Sequence, residues 1–279
     1  MSARYAVFGQ PIAHSRSPRI HALFGAQLGL AIDYRAIEAG RGEFAERVDA
    51  FARDGGRGAN VTLPLKEDAL ALCATLSERA RRAGSVNTLI RDDGHWRGDS
   101  TDGIGLLRDL RERQACDPHD LRVLLLGAGG AARAAAFALA DAGVRELVIA
   151  NRTLKRAEAL ALAIGDAAHV GARAWDALAS ARAFDLIVNA TAAGHTNAAF
   201  DVPQTLLAAQ TLCYDLSYGK AARVFLDGAR KAGATRLSDG LGMLVEQAAE
   251  SFLLWHGLRP DTAPVYAELR TAAVAPVKS

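Results

Sequence analysis

Two neighbouring stretches of the chain place residue types at the spacing that a dinucleotide requires. Residues 121–132 read as an apolar strand, then Gly127-Ala128-Gly129-Gly130-Ala131-Ala132, then a helix. The run fits G-x-G-x-x-A. Gly127 permits the tight turn, Gly129 lets the backbone approach a pyrophosphate, and the small Ala132 lets helix pack close to strand. The helix start then presents free N–H groups and a positive dipole end to phosphate. The following strand ends at Ala150 and runs into Asn151-Arg152-Thr153-Leu154-Lys155-Arg156. An NAD site would usually carry an acidic residue there to hold the ribose 2′-hydroxyl. This chain carries Arg152, with Lys155 and Arg156 a turn further, and guanidinium and ammonium groups pair with a 2′-phosphate. NADP is the expected cofactor. A glycine turn can also serve close packing, and a basic helix start can simply face water; the enclosing βαβ unit favours the nucleotide.

A second set of polar residues lies in the first hundred positions. Gln10-Pro11-Ile12-Ala13-His14-Ser15-Arg16-Ser17-Pro18 sits between a strand and a helix, with two hydroxyls two residues apart. Taken alone it reads as a turn with a cap, Ser17 as N-cap and Pro18 at the first helical position. Asn60-Val61-Thr62-Leu63-Pro64-Leu65-Lys66 is a strand end that leaves Thr62 and Lys66 polar. Gly84-Ser85-Val86-Asn87-Thr88 and Gly98-Asp99-Ser100-Thr101-Asp102-Gly103 follow. Polar groups at successive strand ends are where α/β proteins bind ligands. His14 and His21 lie seven apart without a carboxylate partner, and both read as part of a capped, solvated turn. With no Cys/His cluster of ligand spacing, no metal is expected.

The elements that must hold these residues follow from changes of hydrophobic period. Apolar runs at 123–126, 147–149 and 186–188 have the look of strands buried on both faces. Each precedes a stretch of helical spacing, at 131–142, 154–164 and, less regularly, 203–209. Such alternation implies βαβ units and a parallel, doubly wound sheet. Earlier, strands are expected at 5–8, 33–37 and 59–63, with helices at 18–28, 42–54 and 66–76. A long amphipathic helix is expected at 243–255 and a short one at 264–272. The expected organisation is two α/β domains: residues 1–102 completed by 240–279, and residues 103–239.

Composition narrows the class. The 279 residues carry 33 Lys+Arg against 31 Asp+Glu, and half of them are hydrophobic. That balance excludes a disordered chain and leaves no electrostatic footprint for nucleic acid. Cys73, Cys116 and Cys213 are odd in number and far apart, which points to a reducing compartment. No run approaches the roughly 18 apolar residues of a membrane helix, and the start of the chain is too short for a signal-peptide core. A cytoplasmic protein is expected.

With these residues in view, the sequence resembles the shikimate dehydrogenase family over nearly its whole length. Eight ordered blocks carry the resemblance: 5–17, 58–66, 84–88, 98–103, 127–132, 151–153, 189–191 and 239–247. It implies NADPH-dependent, reversible reduction of 3-dehydroshikimate to shikimate, on the way to chorismate and the aromatic amino acids. The implied fold is an N-terminal α/β substrate domain beside a Rossmann-like doubly wound parallel-sheet NADP domain, closing over a cleft. Carried over residue by residue, Ser15 and Ser17 would hold the substrate carboxylate. Thr62, Lys66, Asn87, Asp102 and Gln247 would contact the ring hydroxyls, with Tyr218 nearby, and Lys66 and Asp102 form the implied catalytic pair. The implied cofactor set is Gly127, Ala128, Gly129, Gly130, Ala131, Asn151, Arg152, Thr153, Arg156, Thr191, Leu216, Gly240 and Met243. The resemblance leaves monomer and homodimer open. The chain departs from the family where Ala192-Ala193 follow Asn189-Ala190-Thr191, where Ser100 replaces the usual Asn, and where Gly219 to Arg223 replace a Pro and a Thr. Two alternatives stand beside this reading: a quinate/shikimate dehydrogenase using NAD, which an acidic residue at 151–153 would have favoured, and a non-catalytic dinucleotide sensor, which would have lost Lys66 or Asp102.

The implied pair makes chemical sense. Hydride addition to a ketone leaves negative charge growing on oxygen. An ammonium at Lys66 would stabilise that charge and deliver a proton, with Asp102 orienting it. The bland reading of the same two residues is a structural ion pair.

Overall fold

The computed structural model describes residues 3–165, 169–196 and 201–274. It divides into two compact units, Met1–Gly105 with Leu244–Ser279, and Leu106–Met243. In chain order the first unit contains β1 (Ala3–Gly9), α1 (Ser17–Leu28), β2 (Ile32–Glu38), α2 (Phe44–Arg53), β3 (Gly56–Val61), β4 (Thr75–Leu76), α3 (Glu78–Ala83), β5 (Thr88–Asp92) and β6 (His95–Asp99). The helix α4 (Asp102–Glu112) begins in it and ends in the second unit. The sheet order is β2-β1-β3-β5-β6-β4. Strands β1, β2 and β3 run parallel, while β5 is antiparallel to both β3 and β6.

Local chemistry accounts for most of these elements. Phe44, Val48 and Phe51 recur at helical spacing and form the buried face of α2. Phe8, fully buried on β1, packs edge-on against Phe44 and Phe51 at 5.9 and 5.8 Å between ring centroids. Asp93-Gly94, both at positive φ (42° and 81°), form the two-residue loop between β5 and β6. Asp-Gly is a strong hairpin signal, one carried by turn chemistry and not by hydrophobic period.

The second unit continues with β7 (Arg122–Leu126), α5 (Gly130–Asp141), β8 (Glu146–Asn151), α6 (Leu154–Ile164), β9 (His169–Ala174), β10 (Phe184–Asn189), α7 (Ala193–Thr196), β11 (Leu207–Asp215), α8 (Lys220–Lys231) and β12 (Arg236–Ser238). All its strands are parallel, in the order β12-β11-β10-β7-β8-β9. Counted within the unit, that is the doubly wound order of dinucleotide-binding domains, reversing direction between its first and fourth strands. Every residue of β7 is buried, as a central parallel strand covered on both faces requires. The chain then returns to the first unit through α9 (Leu241–His256) and α10 (Thr262–Val274). No described helix is long and apolar enough to cross a membrane.

The structure corrects five sequence expectations. The helix expected at 66–76 is a short 3-10 helix, Asp68–Leu72, followed by β4. Pairing across to β6 claims the backbone there, with Ala74 N–H on Trp96 O and Ser77 N–H on Gly98 O. The helix expected at 203–209 is a 3-10 turn at Gln204–Leu206 that opens into β11, where pairing of Leu207 with Phe184 of β10 overrides local propensity. The cap reading of Ser17 fails: Arg16 holds the N-cap position, and Ser17 is the first helical residue, with its side chain buried. His21 is not in a solvated turn. It is 1% exposed, stacked on Tyr34 at 4.2 Å, and burial pushes its pKa down to about 3. The neutral ring is a core residue. Strand β3 also ends at Val61 rather than at 63, ahead of the Leu63-Pro64 step.

Phe8→Ala should remove a fully buried ring and its two aromatic partners, costing about 3–5 kcal/mol of stability. Urea unfolding compared with wild type measures it; a loss below about 1 kcal/mol would mean that the ring is not a keystone of this core.

Candidate active site

The first unit gathers four of the predicted site residues into one hydrogen-bonded group. Lys66, just beyond β3, places Nζ 2.5 Å from Asp102 Oδ2, with side chains only 16% and 5% exposed. Asp102 is the first residue of α4, where the positive end of the helix favours a carboxylate. Its other oxygen, Oδ1, accepts from Asn87 Nδ2 at 3.0 Å. The same Nδ2 lies 3.2 Å from Gln247 Oε1, on α9. Gln247 is held in turn by its own Nε2, which donates to Leu244 O at 2.9 Å. Thr101 completes the group, with its N–H on Asn87 Oδ1 at 2.8 Å. An ammonium, a carboxylate and two carboxamides thus converge, an arrangement suited to a polyhydroxylated ligand and to moving a proton at one of its oxygens.

Ser15 and Ser17 lie apart from that group in the chain but connect inward. Ser17 N–H donates to Ser15 Oγ at 3.3 Å. Ser17 is buried at the start of α1, and the buried Tyr34 phenol donates to Asn60 Oδ1 at 2.8 Å. Thr62 is half-buried, with its N–H on Phe8 O. Tyr218 stands in the other unit, beyond the end of β11. Ser100 has a buried hydroxyl with no partner among the described residues.

In the second unit the glycine turn has the features that a pyrophosphate needs. Gly127 has φ +114°, and a Cβ on it would stand 2.9 Å from Ala190 O. Only glycine fits. Gly129, the N-cap of α5, has open space where a Cβ would be, so its backbone is accessible. Ala128 and Ala132 are buried, Gly130 and Ala131 partly so, and the first turn of α5 contains no acidic residue. At the end of β8, Asn151 Nδ2 donates to Thr153 O at 2.9 Å, fixing the turn into α6. Arg152, Thr153, Lys155 and Arg156 are all exposed, and Arg152 and Lys155 have no ion-pair partner among the described residues. The chemistry of this donor set fits a dinucleotide with a 2′-phosphate.

A buried pair at the ends of β10 and β11 joins the remaining cofactor candidates. Asn189 Nδ2 donates to Asp215 Oδ2 at 2.7 Å. Asn189 Oδ1 accepts from the N–H and hydroxyl of Thr191, and its main-chain oxygen accepts from Leu216 N–H. Gly240 N–H bonds Ser217 O, and a Cβ on Gly240 would strike Leu216 O. Met243 is buried on the first turn of α9. Neither Asn189 nor Asp215 is among the site residues that the sequence suggests. Their signal is a polar residue closing an otherwise apolar strand.

Three family models match in order along the chain: the shikimate dehydrogenase substrate binding domain over residues 7–89, shikimate/quinate 5-dehydrogenase over 109–217, and the shikimate 5′-dehydrogenase C-terminal domain over 240–270. The shikimate dehydrogenase (NADP(+)) of Xanthomonas campestris is 57% identical over 270 residues, covering 96% of this chain and 95% of its own. The chain belongs to the shikimate dehydrogenase family. Among solved structures, an Ael1 enzyme from Pseudomonas putida is 44% identical with a TM-score of 0.88, covering 96% of this chain and 98% of its own. The shikimate 5-dehydrogenase of Thermus thermophilus, solved with NADP(H) and shikimate, is 37% identical with a TM-score of 0.83, covering 97% and 99%. The fold of this family member is therefore the two-domain α/β arrangement with a Rossmann-like domain, as the sequence resemblance implied.

Asp215 gives this member of the family a measurable pH signature. Burial pushes its carboxyl up to about 7, against the donors Asn189 and Ser217, which pull it down. Between about pH 4 and pH 7 the unfolded chain releases this proton while the folded chain keeps it. Stability therefore falls as pH rises through that window, by about 4 kcal/mol for the one group. Asp215→Asn does not titrate, so its stability relative to wild type should improve from pH 4 to 7 and then level off. Urea titrations across that range decide it, and a difference constant with pH would mean that Asp215 ionises normally.

Proposed function

We propose that the Lys66–Asp102 pair is the catalytic pair of an NADPH-dependent, reversible reduction of 3-dehydroshikimate to shikimate. The observation that carries this reading is the buried Lys66–Asp102 contact joined through Asn87 to Gln247, in a chain of the shikimate dehydrogenase family. The residues 1–102 and 240–279 act as the substrate domain, and 103–239 as the NADP domain. Ser15 and Ser17 hold the substrate carboxylate as hydroxyl donors. Thr62, Asn87 and Gln247 bind the ring hydroxyls, together with Tyr218. Gly127 to Ala131 cradle the pyrophosphate, Asn151, Arg152, Thr153 and Arg156 grip the 2′-phosphate, and Thr191, Leu216, Gly240 and Met243 shape the nicotinamide end. When bound, NADPH supplies the hydride, which no side chain can. As charge grows on the carbonyl oxygen, the Lys66 ammonium stabilises it and passes it a proton. Asp102 orients that ammonium and accepts from a neighbouring hydroxyl. In the reverse direction the same amine takes the proton back. Three free cysteines fit a cytoplasmic setting.

Initial rates with shikimate and quinate, each with NADP and NAD, test the assignment. Shikimate with NADP should give the highest kcat/KM; quinate with NAD as the preferred pair would replace it by the quinate reading. Lys66→Ala should lower kcat by about 100-fold or more, the scale of a lost acid–base group, while NADP affinity by fluorescence titration holds. Near-normal turnover would leave the pair a structural one. Arg152→Asp should weaken NADP strongly and NAD little, because a carboxylate repels a 2′-phosphate yet accepts from a ribose hydroxyl. Equal changes in KM for both dinucleotides would make the basic cluster a solvated helix start.

A further inference from the structure

Behind the residues assigned to the substrate lies a second group of polar side chains, none of which the reaction needs. Asn60, on β3, is 5% exposed. A carboxamide so deep is tolerated only when its donors and acceptor are paired. Its Oδ1 accepts from the Tyr34 hydroxyl at 2.8 Å. Its Nδ2 lies 2.9 Å from Ser251 Oγ and 3.2 Å from both Asn87 O and Thr88 Oγ1. Ser251, fully buried on α9, donates to Gln247 O at 3.0 Å. Its Oγ also lies 2.8 Å from Thr88 Oγ1 and 3.3 Å from Thr101 Oγ1.

The node therefore grips the main chain of two substrate residues from behind. Asn60 holds the carbonyl of Asn87, and Ser251 holds the carbonyl of Gln247 one helical turn away. Nothing in core packing asks for this. A serine in mid-helix that bonds the carbonyl four residues back slightly destabilises the helix, and a buried polar network is tolerable only when complete. What the node does accomplish is register. Asn87 and Gln247 are 160 residues apart in sequence, yet Nδ2 of one meets Oε1 of the other at 3.2 Å, and a shift of α9 along the sheet would part them.

We propose that Asn60 and Ser251 are positioning residues of the substrate site, locking α9 to the sheet so that the carboxamides of Asn87 and Gln247 face the same substrate hydroxyls. The proposal rests on the assignment of Asn87 and Gln247 to substrate binding. A double-mutant cycle tests it. Ser251→Ala should raise KM for shikimate about five- to tenfold, change kcat less than twofold and leave KM for NADP unaltered. In a Gln247→Ala background the same change should alter KM for shikimate less than twofold, because the group it positions is gone. A purely structural role would instead lower the melting temperature and raise KM by the same factor in both backgrounds, which would overturn the proposal, as would an unchanged KM in Ser251→Ala. Asn60→Ala, carried through the same cycle, decides by the same criteria should Ser251→Ala not fold. If Gln247→Ala and Asn87→Ala themselves leave KM for shikimate at the wild-type value, the substrate assignment is what fails.

Discussion

A lysine and an aspartate 2.5 Å apart, both largely withdrawn from water, set the terms for the first unit. Removing two charges from solvent costs several kcal/mol each, and their attraction offsets this only if the remaining lone pairs are also satisfied. Asp102 meets that condition twice, through its place at the start of α4 and through Asn87. Asn87 then needs an acceptor for its other proton and donors for its oxygen, which Gln247 and Thr101 supply. Each satisfied group imposes a partner on the next. The chain of demands ends on Asn60 and Ser251, deep between the sheet and α9.

The second unit meets a different constraint by a different route. Its central strands β7, β8 and β10 are largely buried and apolar, so polar chemistry is confined mostly to their ends. Gly127 and Gly129 bring bare backbone to the end of β7, where the sheet order reverses and a ligand can enter. Asn189 and Asp215 close β10 and β11, and their pairing steadies the segments that carry Thr191 and Leu216. The raised carboxyl of Asp215 is the electrostatic consequence of burying an acid there, with no ion-pair partner among the described residues.

How much of this was legible depended on the reach of each signal. The glycine turn, the basic residues after β8 and helix α6 need only a dozen or so consecutive residues, and they stand where expected. The Asp93-Gly94 hairpin is equally local, but its signal lies in turn chemistry and leaves no mark in hydrophobic period. By contrast, residues 207–209 read as helix from their alanines, yet Leu207 pairs with Phe184 of β10 and Ala208 N–H turns to Thr211 Oγ1, contacts from outside the stretch that draw it into β11. His21 read as surface because no sequence pattern shows that Tyr34 will lie flat against it.

The amino-acid sequence by itself determined the family, through ordered blocks along the whole chain, and the doubly wound domain, the glycine turn and the basic residues after β8, each written in contiguous residues whose backbone and charge act over one or two turns. Only the tertiary structure decided that Lys66, Asn87, Asp102 and Gln247 form one hydrogen-bonded group, that Ser17 faces inward rather than capping its helix, and that Asn60 and Ser251 stand behind them. A hydrogen bond between residues 160 positions apart leaves no trace in either local stretch. It exists because folding brings a helix from the end of the chain onto a sheet from its beginning, and buried polar atoms then have to find one another.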